Sequence, residues 1–176
     1  MFKKIVFVIV ALIAAFVIYV AMQPSEYRVE RSITIAAQPG KVFENVNDFH
    51  KWQAWSPWAD LDPNAKITFE GAEAGKGAIM KWDGDDTAGE GQMTLVESDP
   101  DKAVKIKVEF TRPFEGGTNS DFAFSPEGGG TEVVWALHGS HDFMGKLFTV
   151  MMDGLGMMGN DLEKGLSQLK SAVEQG

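Results

Sequence analysis

Between Ile5 and Met22 the chain carries no charged residue. The run IVFVIVALIAAFVIYVAM extends as a helix for roughly 27 Å, close to the thickness of a bilayer's hydrocarbon core. After Pro24, which stops a helix, the apolar positions change period. YRVERSITI alternates from Tyr27 to Ile35, with Tyr27, Val29, Ile33 and Ile35 on one face and Arg31 as the odd member, a place for a bulge or a salt bridge at a strand end. Pro39 opens a short stretch in which Val42, Phe43, Val46 and Phe49 recur at helical spacing. It runs into HKWQAWSPW, where Pro57 breaks any continuation, so two short helices with a kink are expected. Alternation then returns in successive pieces: Ile67 and Phe69; Ala78, Met80 and Trp82; Gly91, Met93 and Leu95; Val104, Ile106, Val108 and Phe110; Phe122 and Phe124; Val133, Trp135 and Leu137. These make about seven strands with one buried and one wet face. Their Gly-rich and Asp-rich connections, such as Asp83-Gly84-Asp85-Asp86, suit hairpins and therefore an antiparallel sheet. From Asp153 the spacing becomes three and four, through Leu155, Met158, Leu162, Leu166, Leu169 and Val173, the stripe of one long amphipathic helix.

The pattern divides the chain into a basic tail (residues 1–4), a transmembrane helix (5–22), a linker (23–26) and one α+β domain (27–176). A cleaved signal peptide is the rival reading of the first segment. Its apolar stretch is normally shorter and ends in small residues, whereas here Tyr19 stands in Tyr19-Val20-Ala21 before Met22, so an uncleaved anchor is expected. The two lysines of the tail favour an N-terminus inside and the domain on the periplasmic or extracellular side, as in a bacterial inner-membrane protein. With only four linker residues, the domain sits against the membrane surface.

Composition narrows the partners. Lys and Arg number 16 against 25 Asp and Glu, and without Lys3 and Lys4 the balance is 14 against 25. Such a surface repels phosphate backbones and anionic lipid, which argues against nucleic acid. The absence of cysteine removes disulfides, thiolate metal sites and cysteine nucleophiles.

Four groups invite chemistry. Gly154-Leu155-Gly156-Met157-Met158-Gly159 fits G-x-G-x-x-G, but a dinucleotide turn needs a following strand with an acidic residue, and here the chain ends inside a helix. Glycines that let this helix pack closely on a bulky sheet are the plainer reading. His138, His141 and Asp142 do not converge naturally as metal ligands from a strand end. Asp83, Asp85, Asp86 and Glu90 lack the spacing of a calcium loop and read as a solvated hairpin tip. Met144, Met151, Met152, Met157 and Met158 cluster before and within the last helix. Methionine moulds itself to irregular apolar ligands, and ordinary core or loop packing is the equal alternative. Trp52, Trp55 and Trp58 read as packing residues, with a membrane-interface role as the other option. No catalytic set, cofactor or metal ligand emerges.

Arg31-Ser32-Ile33, Ala37-Gln38-Pro39 before Val42-Phe43, Asn47-Asp48-Phe49, Trp52-Gln53-Ala54-Trp55-Ser56-Pro57-Trp58 and, near the end, Gly165-Leu166 with Leu169-Lys170 and Glu174 resemble the polyketide-cyclase-like branch of the SRPBCC superfamily. The resemblance covers about residues 27–175. It implies a START-like helix-grip fold with a cavity between the sheet and the C-terminal helix, suited to a hydrophobic small molecule or lipid. It does not choose among carriers, cyclases and other members. Strand and helix parity point Met80, Trp82, Met93, Phe110, Phe122, Phe124 and Trp135 into that cavity, with Met158 and Leu162 closing it. The leading expectation is a membrane-anchored module binding a lipid-like molecule. The alternatives are a cyclase-like or hydrolytic enzyme, and an envelope protein-interaction domain whose cavity is filled.

Overall fold

The computed structural model describes residues 2–113 and 115–176. Its elements run α1 (Phe2–Ala21), β1 (Glu26–Ile35), α2 (Pro39–Asn47), a 3₁₀ turn (Phe49–Ala54), β2 (Lys66–Gly71), β3 (Ala78–Asp83), β4 (Glu90–Asp99), β5 (Ala103–Arg112), β6 (Gly116–Glu127), β7 (Gly130–Ser140), α3 (Phe143–Met152) and α4 (Gly154–Gln175). All seven strands form one antiparallel sheet in the order β1-β7-β6-β5-β4-β3-β2. This is the α+β helix-grip architecture: a meander whose first strand returns beside its last, with α4 laid across the concave face.

Period-2 alternation is what makes the sheet one-sided. In β5, Val104, Ile106 and Val108 are buried while Lys105 and Lys107 are exposed. A register shift between Leu95 and Glu97 leaves Val96 outside the ladder and bends β4. α4 packs mainly on β1 and β7, through buried Leu162, Leu166, Leu169 and Val173. Lys170 Nζ donates to Thr34 O at 2.7 Å and Glu174 Oε1 accepts from Ala36 N at 2.8 Å. The C-terminal turns of α4 therefore lie at the Ile35 end of β1, and its first turns point toward the Glu26 end.

α1 is 20 residues long and apolar enough to cross a membrane by length and composition, a property that anchors and signal sequences share. Four residues separate it from β1. Its base is not free, because Val20 is fully enclosed and α1 packs against α3.

Two expectations need correction. The sequence reading placed one helix after β7, but two are present, turned into each other at Asp153, which adopts left-handed backbone (φ 51°). Arg31 marks neither a bulge nor a strand end. It pairs with Trp135 in the middle of the β1–β7 ladder, and its Nε donates to Glu163 on α4 at 2.6 Å. Gly159 leaves the space in which that guanidinium lies.

Candidate functional site

Cross-strand register sorts the nine residues expected to line a cavity into two groups. Toward the Ile35 end, Trp135 faces Phe122 and Phe124 faces Val133. Trp135 stacks on Phe122 at 4.8 Å, and Trp55 and Trp58 meet its edges at 5.8 and 5.6 Å. Its indole Nε1 donates to the buried Ser120 Oγ at 2.8 Å. Gly165 lets α4 settle onto the ring: a Cβ there would stand 2.5 Å from Trp135 and 2.9 Å from Pro57. Leu162 is fully buried beside it in the same cluster. Phe122, Phe124, Trp135 and Leu162 are thus brought together in a closed core.

Toward the Glu26 end the concave face is built differently. Val108 faces Met93, which faces Met80. Beyond them Phe110 faces Gly91, and Gly91 faces Trp82. The Trp82 ring lies across Gly91, where any Cβ would collide with it, and Phe110 meets that ring edge-on at 5.6 Å. Met80, Met93 and Val108 are buried, Trp82 is half-buried, and Phe110 is 39 % exposed. The parity of Phe110 is as expected, but its enclosure is not: it occupies the last inward position of β5, and α4 covers β1 and β7 rather than this side of the sheet. Met158 is half-buried on the first turns of α4, packed against the core cluster. Of the nine residues, Trp82, Phe110 and Met158 therefore lie at an open apolar rim of the concave face, with Met80 and Met93 buried directly behind them.

The buried sheet hydroxyls of Ser120 and Thr131 are paired. Ser120 accepts from Trp135, and Thr131 Oγ1 donates to Ala37 O at 2.7 Å. Trp52 and Trp55, both buried, donate to the backbone carbonyls of Val46 and Asn45, so their place is the core and not a membrane interface. The two histidines near the end of β7 separate. His138 points outward, with Nε2 2.9 Å from Asp121 Oδ2. His141 stacks on Tyr27 at 4.2 Å and lies 3.2 Å from Thr149 Oγ1. Burial pushes the His141 imidazole below its usual pKa, against the opposing pull of Asp142. At the β3–β4 tip, Asp85 accepts from the backbone N–H groups of Ala88 and Thr87, which hold its carboxyl below the usual range. Asp83 pairs instead with Arg112. Among the described residues no group of three or more His, Asp or Glu side chains is arranged to hold a metal ion.

A cleft of about 690 Å³ lies elsewhere. It is contributed by β1, β5, β6 and β7 without α4, and its polar lining, Arg28, Lys107, Asn119 and His138, comes from outward positions. A second cleft of about 300 Å³ lies between Ala54 and α4. None of the nine expected residues lines either one.

The sequence reading missed the packing around α3. Tyr27, His141 and Thr149 clamp that helix to the start of β1. The available signal was the 3–4 spacing of Met144, Phe148, Met151 and Met152 inside a run too short to stand out.

Residues 26–174 match the model of a family described as polyketide cyclase / dehydrase and lipid transport. Comparison of the sequence with curated proteins finds no match. Among solved structures, a protein of unknown function from Staphylococcus aureus, SA2116, superposes with a TM-score of 0.65 at 12% identity, covering 87% of this chain and 96% of its own. Protein MLL2253 from Mesorhizobium loti gives 0.62 at 14% identity, covering 85% and 98%. Protein CV1439 from Chromobacterium violaceum gives 0.59 at 16%, covering 86% and 99%. At these identities the likeness establishes the fold.

Proposed function

Because the chain belongs to the polyketide cyclase/dehydrase and lipid transport family, we propose that it is a membrane-anchored binding domain for a hydrophobic or lipid-like small molecule. The molecule sits at the open half of the concave face, over Met80, Trp82, Met93, Phe110 and Met158. The closed half, Trp135 with Phe122, Phe124 and Leu162, is the floor that holds the sheet and α4 together. The observation that carries the reading is the graded exposure along one row-by-row apolar surface, from sealed Trp135 to open Phe110. Aromatic rings and methionines supply area without demanding one ligand shape. α1 acts as an uncleaved anchor with its N-terminus in the cytoplasm and the domain on the periplasmic side of a bacterial inner membrane. The chain then remains with the membrane after carbonate washing.

The test uses the full chain in lipid nanodiscs, irradiated with a fatty acid that carries a diazirine, with adducts mapped by mass spectrometry. Adducts are expected at Met80, Trp82, Met93, Phe110 or Met158 and are expected to vanish in Val108→Trp, which fills the open half. Adducts confined to α1, or unchanged by Val108→Trp, would remove the concave face as the site.

A further inference from the structure

Among the described residues, eleven large hydrophobic residues outside α1 are exposed, and six of them fall between Phe143 and Met157. Met144, Phe148, Met151 and Met152 recur at spacings of four, three and one, which places them on one face of α3. Exposures of 52 to 65 % on that face form a contiguous apolar patch of the kind that soluble surfaces avoid. The helix is firmly built: Asp142 caps it by accepting from Gly145 N at 2.8 Å, and the Tyr27–His141 stack fixes its start to β1.

Its place in the molecule says what covers the patch. α3 packs against α1, and Lys146, the one charged residue between Phe143 and Met152, turns its Nζ toward Ala21 O at 3.3 Å. Lys146 thus meets the C-terminal end of the apolar span, where carbonyls lack helical partners and a cation is favoured. That contact puts α3 at the level where the span ends.

We propose that α3 is an interfacial helix, lying in the headgroup–acyl boundary of the bilayer that α1 enters. It seats Phe143, Met144, Phe148, Met151 and Met152, with Met157 from α4, among the lipid chains. The inference rests on the reading of α1 as an anchor. It also sets the orientation of the domain: the Glu26 end of the sheet, where Phe110 and Trp82 are open, faces the membrane, so an apolar ligand passes between bilayer and concave face without crossing water. The adhesion is apolar and not electrostatic, because α3 is flanked by Asp142 and Asp153 and the domain is strongly acidic. Insertion then scales with buried apolar area and is insensitive to salt and to anionic lipid.

The chain has no cysteine, so single cysteines can be labelled with an environment-sensitive nitrobenzoxadiazole fluorophore in the full chain, reconstituted in phosphatidylcholine vesicles. Met144→Cys and Met151→Cys probes are expected to emit to the blue of a Glu127→Cys probe at the opposite end of the sheet. Lipid spin-labelled near the headgroup is expected to quench them, with no change at high salt. A Val8→Cys probe reports the anchor separately, through quenching by lipid labelled deep in the chain. If Val8 is embedded while Met144 and Met151 emit like Glu127, the interfacial helix is wrong and the anchor stands. If Val8 is also in water, the anchor reading falls first. Blue-shifted probes at Met144 and Met151 that lipid quenchers do not reach would mean a protein or a second copy covers the patch, which also overturns the proposal.

Discussion

The two halves of the concave face are made from the same residue classes and behave oppositely. At the Ile35 end, aromatic rings are locked by directional bonds: Trp135 to Ser120, Trp52 to Val46 O, Trp55 to Asn45 O, with Gly165 admitting the helix. At the Glu26 end, Met80, Met93, Val108 and Phe110 have no such ties and α4 does not cover them. Trp82 is held only at its edge, by a 3.1 Å bond to Ala88 O. Apolar character alone does not make a binding site. What separates floor from opening is whether a second layer closes over it, and the lesson is that a lining must be judged by its cover.

The contrast is broken most strongly at the centre of the closed half. Trp135→Ala removes a fully buried ring and the partner of Ser120, and is expected to lower stability by about 3 to 5 kcal/mol. Phe110→Ser at the open rim should cost about 1 kcal/mol or less, while still abolishing the fatty-acid adducts. Urea denaturation of the two variants measures the difference, and equal losses would mean that the halves are one core.

Overfilling gives the next largest effect. Leu162→Trp forces extra volume into a sealed site and is expected to cost about 1 to 3 kcal/mol. Val108→Trp adds bulk at a buried position that borders the opening, where the ring can turn outward, and should cost less than Leu162→Trp. A Leu162→Trp protein with unchanged stability would show hidden space beneath α4 and would restore the larger cavity that the family resemblance implies.

How much of this the sequence disclosed follows the same line. Strands β1 to β7 and helix α4 were legible because period 2 and period 3.6 are local and repeat long enough to be read. Parity correctly put Phe110 on the face of Val104, Ile106 and Val108, but parity names a face and is silent about what lies over it. Arg31 looked anomalous because its partner, Glu163, is distant in sequence. α3 escaped because ten residues between a strand and a longer helix offer fewer than three turns, and its exposed face is as apolar as its packed one.

Glycines on α4 sharpen the comparison at smaller scale. Replacing an interior helical glycine by alanine gains about 1 kcal/mol of helix propensity. At Gly165 the new methyl meets the Trp135 ring and Pro57, neither of which can yield, and the overpacking cost of about 1 to 3 kcal/mol exceeds the gain. At Gly159 it meets the end of the flexible Arg31 side chain, whose half-exposed pair with Glu163 contributes little. Gly165→Ala is therefore expected to destabilise and Gly159→Ala to be nearly neutral, read as opposite displacements of Tm. A stabilising Gly165→Ala would mean that α4 floats above the sheet.

The smallest effect separates the halves by pH. His141 belongs to the open end, and its folded-state pKa lies below the ordinary 6.5 of a histidine because burial disfavours the imidazolium. The unfolded chain then binds more protons, so this contribution to stability is lost as pH falls from 6.5 toward the folded value. Glu174 belongs to the closed end, where the Ala36 N–H and then Lys170 hold its carboxyl below the ordinary 4.5 of a glutamate. Its contribution is present above 4.5 and is lost only as pH falls through the lower folded value. Acidification should accordingly loosen the Tyr27–His141 clamp and α3 first, and the junction of Ala36 with α4 afterwards. Hydrogen exchange across this range checks the order. Amides of β7 and α3 near His141 are expected to lose protection at higher pH than Ala36, and His141→Phe, which keeps the stack without the titration, should abolish the first step alone. A single loss of protection shared by both ends would mean that the open half is not separately stable.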